Sequence, residues 1–394
     1  MPFPRDSNPP SVPASRADGR ATRQYFASQF RDDRGLHKSP GRGPNLLPLE
    51  STKRDVVVRR LLETSEQFVE HVWSVGPFDD GHAAQRKEHQ PERGVIDLTA
   101  KYATSNGELS WRRTEAKQRQ FQWEATASPA STYVHFQLQS GTRQPSLVTV
   151  QGLADVRLWQ NGTAISGESN SSVTTTIRWL LDLQPGSNNF LIRMPIRNHE
   201  SLAIRFQSAT PAVASLPEPL DSALLVERLK AATTSDVASL SKDFLDVNWV
   251  EESTRGDASQ GRKLFGTLAC AKCHAITAEQ KGAGAPSLTE AKRRFTVPHL
   301  VESILLPNKQ VAEPFRATHL ITDGGQTLTG LVTSESAESV ELLLPDASRR
   351  TILKATIEER KTSAVSPMPH GLVKTPQELR DLLTYLMSDR PLPP

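Results

Sequence analysis

The feature that most restricts this chain is its cysteine usage. Among 394 residues the only two cysteines are Cys270 and Cys273, and His274 follows directly after them. Two cysteines cannot form a disulfide framework, so every folded part of the chain must rely on a hydrophobic core. A chain of this length is expected to form about two such domains. The cysteine pair is therefore available for one local chemical task.

The segment Cys270-Ala271-Lys272-Cys273-His274 has the C-x-x-C-H spacing of covalent haem attachment. Two thiols at this spacing can add across the two vinyl groups of the porphyrin, and the adjacent histidine is then placed as the proximal iron ligand. A zinc site would need two further ligands, for which His299 and His319 are the downstream candidates. A redox dithiol would need a βαβ setting, which this segment lacks. We therefore predict one covalent haem c held by Cys270 and Cys273, with His274 on the iron.

Helical patterns flank the motif on both sides. Asp257 can cap a helix that carries Gly261 and Phe265 on one face. Near the end of the chain, Thr375-Pro376-Gln377-Glu378 combines an N-cap, a proline at the first helical position and a capping-box glutamate. An apolar stripe follows at Leu379, Leu382, Leu383 and Leu386. The two segments resemble the first and last helices of class I cytochromes c, which implies that Gly261 and Phe265 meet Leu382 and Tyr385.

A second axial ligand is expected from the segment before the last helix. Of the four methionines, only Met368 lies in a rigid non-helical setting, between two prolines. His299 and His370 are the competing ligands. The sequence therefore predicts a His274 and Met368 pair on the iron.

Residues 256–394 are predicted to form this cytochrome c domain, and about Asp257 to Asp389 resemble the haem-binding domain of the Pirellula and Verrucomicrobium (planctomycete) type. Its motifs occur here in order, at Cys270 to His274, Pro286, Leu300 to Asn308, Asp323-Gly324, Leu328 to Gly330 and Ser366 to Leu372. The resemblance to cytochromes c implies that the carbonyl of Pro286 accepts the Nδ1 hydrogen of His274. Alternating residues within 318–355 predict a small β insertion ahead of the methionine.

The preceding part of the chain has a different pattern. We expect residues 1–50 to be disordered, residues 51–71 to form a short helical lead-in and residues 72–210 to form an antiparallel β-sandwich. Alternation over residues 155–160 ending in Asn161-Gly162 predicts a hairpin. A strand ending in Trp159-Gln160-Asn161-Gly162, followed by a Pro185-Gly186-Ser187-Asn188 turn, resembles the galactose-binding-like jelly roll of some glycosidases. Residues 211–255 are interpreted as a linker with a helix.

The predicted fold class is therefore multidomain: an N-terminal all-β jelly-roll sandwich, then a C-terminal, mainly α cytochrome c domain with a small β insertion. Five tryptophans of the sandwich could stack on sugar rings. Aromatic residues on half-buried strands are more often core, and we predict that role for them. They are Trp73, Trp111, Trp123, Trp159 and Trp179.

Charge and hydropathy limit the partners. The 47 basic and 44 acidic residues give a net charge of +3, which is no reason to expect a nucleic-acid partner. Basic clusters such as Lys292-Arg293-Arg294 are interpreted as solvated faces.

The sequence contains no apolar stretch of about 18 residues, so no transmembrane segment is predicted. No signal peptide is visible. Because this haem attachment occurs outside the cytoplasm, we still expect a periplasmic or otherwise exported protein whose start lies upstream or which is a fragment.

These observations predict an electron-transfer protein rather than an enzyme. A histidine and methionine pair leaves no open iron site. The family resemblance implies a sugar or alcohol dehydrogenase as electron donor, a downstream acceptor and possibly a carbohydrate ligand. A haem-based sensor and a component of a carbohydrate-active enzyme remain the alternatives. No sequence feature distinguishes the available acids as catalytic, namely Asp79, Asp80, Glu92 and Asp97.

Overall fold

The computed structural model describes residues 51–80, 88–124, 129–153, 155–165, 168–170, 175–196, 200–233, 240–280, 284–389 and 391–394. The segment 1–50, for which disorder is predicted, lies outside these residues. The helices are α1 (Ser51–Leu62), α2 (Ser222–Thr233), α3 (Trp249–Glu252), α4 (Ala258–Thr267), α5 (Ala291–Arg294), α6 (Val297–Leu305) and α7 (Pro376–Leu386). None of the helices in this described part is long and apolar enough to cross a membrane.

The first fifteen strands build the N-terminal side of the molecule. They are β1 (Gln67–Phe68), β2 (His71–Asp79), β3 (Lys101–Thr104), β4 (Gly107–Ser110), β5 (Arg112–Glu115), β6 (Phe121–Trp123), β7 (Ala130–Ser140), β8 (Gln144–Gln151), β9 (Arg157–Gln160), β10 (Thr163–Ile165), β11 (Glu168–Asn170), β12 (Thr176–Leu183), β13 (Gly186–Ile196), β14 (Glu200–Ser208) and β15 (Ala212–Ser215). The remaining five, in the C-terminal domain, are β16 (Thr318–Thr322), β17 (Thr327–Glu335), β18 (Ser339–Leu343), β19 (Arg349–Leu353) and β20 (Ile357–Thr362).

Two antiparallel sheets form the sandwich. One has the order β1-β14-β8-β12-β11 with β6 paired to β14, and the other has the order β10-β9-β13-β7-β2-β5 with β15 paired to β7. Side chains from both sheets, among them Phe136, Phe190 and Trp179, fill the space between them. The second sheet is covered on its other face too, where Tyr133 and Trp159 pack with Tyr102 and Leu109 of the β3-β4 hairpin. This double burial explains why the residues of β7 and β13 are buried along almost the whole of both strands.

The predicted core role of the tryptophans is confirmed for four of them, which are at most 9% exposed: Trp111, Trp123, Trp159 and Trp179. Trp73 is only partly buried, and its Nε1 donates to the carbonyl oxygen of Pro217. The predicted Asn161-Gly162 hairpin is present between β9 and β10, with both turn residues at positive φ.

Three predicted boundaries are corrected. The lead-in helix ends at Leu62, because β1 and β2 already pair with strands of the sandwich. The segment 211–255 is not only a linker: β15 extends the sandwich, and Leu225, Phe244 and Trp249 are buried in the C-terminal core. The β insertion ends at Thr362 rather than 355, since β20 completes a five-stranded sheet of order β19-β18-β17-β16-β20.

The C-terminal core is built on the crossing of α4 and α7. Both predicted caps are present: Asp257 Oδ1 accepts from the backbone of Ser259, and Thr375 and Glu378 form a capping box. Phe265 packs on Tyr385, with ring centroids 5.6 Å apart. The crossing holds the end of α4 in place, and the Cys270 turn begins directly after it.

Candidate haem site

The attachment motif forms one tight turn after α4. Ala269 adopts a left-handed conformation (φ 63°), which ends the helical path, and a 3-10 turn spans Cys270–Lys272. The backbone N–H groups of Cys273 and His274 both donate to the carbonyl oxygen of Cys270, at 3.2 and 3.0 Å. The two thiols and the imidazole are thereby all carried by a single turn.

His274 is oriented by Pro286. Its Nδ1 donates to the Pro286 carbonyl oxygen across 2.7 Å. This bond uses one ring nitrogen and leaves Nε2 as the atom suited to a metal. Burial lowers the pKa of His274, although the bond to Pro286 acts in the opposite direction, and the net shift favours the neutral ring that a metal ligand needs.

The thiols do not have the properties of a redox dithiol. Burial raises the pKa of Cys270 to about 11, and burial also raises the pKa of Cys273. Catalytic dithiols instead depend on a lowered thiol pKa. A zinc site also lacks ligands, because the described part of the chain contains no group of three or more His, Cys, Asp or Glu side chains placed to hold a metal ion. His319 lies on β16 and bonds to Thr329 Oγ1 instead.

Apolar side chains surround the attachment turn on two sides. Cys270 packs against the main C-terminal core, whereas Cys273 packs against a small cluster of Phe315, Leu331 and Leu343. This second cluster belongs largely to the β insertion. A Cβ added at Gly284 would lie 2.6 Å from Thr333 Cγ2 of β17, so the loop that leads to Pro286 also lies against this sheet. Two thiols and an imidazole are the groups that bind a c-type haem, and apolar walls suit the porphyrin.

The predicted distal residues lie on different elements. Met368 is partly buried in the segment between β20 and α7. Its backbone N–H donates to Ser366 Oγ at 3.1 Å, and the Ser366 N–H donates to Asn308 Oδ1 at 2.8 Å. His370 is exposed, and His299 is stacked on Phe295 with ring centroids 5.5 Å apart. Met368 and His370 stand in the same anchored segment, and of these two only Met368 is partly buried.

The sandwich touches the proximal side of this site. The backbone N–H of Ser287 donates to the carbonyl oxygen of Pro185 at 2.9 Å, and a Cβ added at Gly186 would lie 3.1 Å from Pro286 Cβ. Arg294 joins the same contact. The interpretation of Lys292-Arg293-Arg294 as a solvated face is wrong for Arg294, which is 3% exposed, because backbone carbonyls of both domains surround its guanidinium. Sequence reasoning missed this residue, and no local pattern marks it.

The acids of the sandwich are brought together by an arginine. Arg193 binds Asp80 Oδ1 at 2.6 Å and Glu92 Oε1 at 2.7 Å. His89 and Ser131 also bond to Asp80. Burial raises the pKa of Asp80, but these hydrogen bonds and Arg193 outweigh it, so the net shift is downward. This network holds Asp80 as a carboxylate and ties the 88–92 segment to β7 and β13.

Comparison with known proteins finds a family match within the C-terminal domain. Residues 258–337 match the cytochrome c family model. The match begins at the first residue of α4 and includes the attachment turn, Pro286 and the first strands of the insertion. The cytochrome c domain supports a role in haem binding and electron transfer.

No curated protein matches the chain. Solved structures include a β-glucosidase from Kluyveromyces marxianus, at 11% identity and TM-score 0.22, matched over 42% of this chain and 18% of that one. A GH31 α-xylosidase from Xanthomonas citri matches at 10% identity and TM-score 0.20, over 54% of this chain and 24% of that one. This chain thus spans less than a quarter of the length of either enzyme, and likeness at these TM-scores identifies neither a fold nor an activity.

Proposed function

We propose that this chain is a mono-haem c-type cytochrome that transfers single electrons. Cys270 and Cys273 would add to the haem as two thioethers, and His274 and Met368 would be the proximal and distal protein ligands of its iron. The observation that carries the proposal is the 2.7 Å bond from His274 Nδ1 to Pro286, directly beside two unpaired cysteines. A neutral histidine fixed through Nδ1 is prepared to ligate iron through Nε2.

Each residue has a defined task in this proposal. The haem, when bound, supplies the one-electron couple of its iron. The Pro286 carbonyl orients the His274 ring and makes it a stronger donor. The Met368 thioether would be the second protein ligand of the iron, which would raise the reduction potential and favour electron transfer over oxygen chemistry. The cluster of Phe315, Leu331 and Leu343 excludes water beside Cys273.

The setting of this reaction is also proposed. We infer an exported protein, because covalent haem attachment occurs outside the cytoplasm. The order of its motifs favours the planctomycete type. A sugar or alcohol dehydrogenase would supply the electrons, and a further carrier would accept them. The sandwich would be a galactose-binding-like jelly roll that docks a partner or a glycan. No residue of this chain is assigned a catalytic role.

The test is spectroscopic. The chain is produced with export and haem-attachment machinery, and the pyridine haemochrome and the ferric absorption spectrum are recorded for wild type, Met368→Ala and His370→Ala. We expect one covalent haem per chain and a weak long-wavelength sulfur-to-iron band that only Met368→Ala abolishes. His299→Ala tests the remaining ligand.

Other outcomes contradict the proposal in different ways. Absence of covalent haem from the wild type would overturn the assignment of Cys270 and Cys273. Covalent haem that binds carbon monoxide readily in the wild type would show an open sixth position and a sensor instead of an electron carrier. A wild-type low-spin spectrum that lacks this band, and that changes in His370→Ala or His299→Ala but not in Met368→Ala, would reassign the distal ligand to that histidine.

A further inference from the structure

Arg294 joins the two domains through its buried guanidinium. On the sandwich side, its Nη2 donates to the carbonyl oxygen of Ser187 at 2.6 Å. On the haem side, its Nη1 donates to the carbonyl oxygens of Ser287 at 2.7 Å and Thr289 at 3.2 Å. All the acceptors of these bonds are backbone carbonyls. The Arg294 side chain therefore links the backbone near Ser187 to the backbone of Ser287 and Thr289 at a fixed distance.

The backbone around Arg294 strengthens the same junction. Asn189 of β13 donates from Nδ2 to the Arg294 carbonyl oxygen at 2.7 Å in a buried contact. Ser287 and Pro185 share the backbone bond described above, and Gly186 lies against the ring of Pro286. The turn between β12 and β13 thus contacts the loop of residues 286–289 directly.

This loop carries the partner of the proximal histidine. The carbonyls of Ser287 and Thr289 that Arg294 holds follow Pro286 by one and three residues. The Pro286 carbonyl itself accepts from His274 Nδ1. A small displacement of the loop would lengthen that bond and make the imidazole a weaker donor, which stabilises ferric iron less. The sandwich is therefore connected to His274 through three hydrogen bonds, Arg294 to Ser187, Arg294 to Ser287 and His274 to Pro286, and through the covalent link between Pro286 and Ser287.

We propose that Arg294 is a positioning residue through which the β-sandwich sets the strength of the His274 to Pro286 hydrogen bond and thereby the reduction potential of the haem. This inference rests on the proposed function. The sandwich then acts on the electron-transfer centre as a structural support, whatever else its other surfaces bind. Burial lowers the pKa of Arg294 to about 10, which leaves the guanidinium charged at neutral pH.

The experiment compares three variants in the haem-loaded full chain. Asn189→Ala loosens the junction from the sandwich side without changing any charge. Arg294→Lys retains the charge but cannot replace the forked set of hydrogen bonds. Arg293→Met is the control: Arg293 is 54% exposed and reaches Thr163 Oγ1 of the sandwich, with no contact to the 286–289 loop among the bonds described.

Two quantities are measured, the reduction potential and the exchange rate of the His274 Nδ1 hydrogen by NMR. We expect Arg294→Lys to shift the redox equilibrium about tenfold toward the reduced form, equal to about 59 mV for one electron. Asn189→Ala should shift it in the same direction by about threefold. Exchange should accelerate at least about tenfold in Arg294→Lys, because a longer bond protects the hydrogen less. Arg293→Met should resemble the wild type in both measurements.

Unchanged potential and exchange in Asn189→Ala and Arg294→Lys would overturn the inference. An equal shift in Arg293→Met would overturn it too, because surface charge would then explain the potential. If one junction variant fails to fold, the other still decides the result. Failure of the proposed function is distinguishable, since it would appear as missing haem or missing methionine ligation in the wild type before any variant is compared.

Discussion

Gly261 of α4 lies directly against the backbone of Asp381 in α7. A Cβ added to this glycine would lie 2.6 Å from the Asp381 carbonyl carbon and 2.8 Å from Tyr385 Cβ. The obstructing atoms are the Asp381 backbone and the Cβ of the buried Tyr385. Neither can move aside as the end of a flexible side chain can. The helices therefore cross at a distance that only glycine permits, and this crossing fixes the helix end from which the Cys270 turn departs.

Replacement of Gly261 by alanine should destabilise the protein by about 3 kcal/mol, since overpacking a close helix crossing forces the helices apart. Chemical denaturation followed by far-UV circular dichroism measures this change. Gly266→Ala, in the same helix, is the matched control. Its Cβ would meet Pro394 Cβ at 3.5 Å, an ordinary contact, so we expect a gain of up to about 1 kcal/mol from helix propensity. Equal effects of the two variants would contradict the role of the crossing.

The ion pair between Arg228 of α2 and Glu302 of α6 should be important for the C-terminal domain. Arg228 Nη1 lies 2.8 Å from Glu302 Oε1, and Glu302 is 2% exposed. Arg228→Met leaves this carboxylate buried without its partner, which should cost about 3 kcal/mol of unfolding free energy. The double variant with Glu302→Leu should recover most of the loss.

A surface pair on the same arginine provides the control for that measurement. Glu218 is 63% exposed and lies 2.9 Å from Arg228 Nη2. Glu218→Gln should change the free energy of unfolding by less than about 1 kcal/mol, because an exposed pair contributes little. A loss in Glu218→Gln as large as that in Arg228→Met would show that burial of Glu302 is not the cause.

His135 should make the stability of the sandwich depend on pH. Burial lowers its pKa to about 4 from an ordinary value of 6.5, although the bond to the Phe190 carbonyl opposes the shift. Between these two values the unfolded chain binds a proton that the folded chain does not. Stability therefore rises with pH, and up to about 3 kcal/mol present above pH 6.5 is lost as pH falls to 4. Urea denaturation across this range measures the slope, which His135→Gln should flatten.

Each cysteine should contribute one covalent bond to the haem. In Cys273→Ala, one vinyl group stays conjugated with the porphyrin, so the pyridine haemochrome band should move to longer wavelength while the haem remains attached through Cys270. The double cysteine variant should release the haem on acid extraction. Lys272→Ala changes an exposed position inside the motif and should leave the spectrum unchanged. Retention of covalent haem in the double variant would refute the attachment chemistry.

The parts of the structure that could be predicted from the sequence are those whose partners are close along the chain. The capping box pairs Thr375 with Glu378, and the hairpin at Asn161-Gly162 requires only two residues with positive φ. The helix crossing was predicted through the cytochrome c resemblance rather than from local pattern. Its Phe265 and Tyr385 contact is present in the structure.

The ends of elements were predicted less well where long-range packing decides them. The apolar positions of α2 indicated a helix but not the core it enters, and Leu225 and Leu229 are buried with α6 and α7 residues far along the chain. Strand β20 carries exposed, charged residues and has no apolar alternation to reveal it. Its backbone pairing with β16 alone makes it a strand.

The sequence by itself determined that two thiols and an imidazole lie on one turn, because any tight turn over these five residues brings them together. Only the tertiary structure decided that the sandwich contacts the loop whose Pro286 carbonyl accepts from His274. Arg294 stands in a basic cluster that looks solvated, and its burial depends on the carbonyl of Ser187, 107 residues away. A buried cation is stable only where the completed fold supplies acceptors around it, and local spacing does not encode such a set of acceptors.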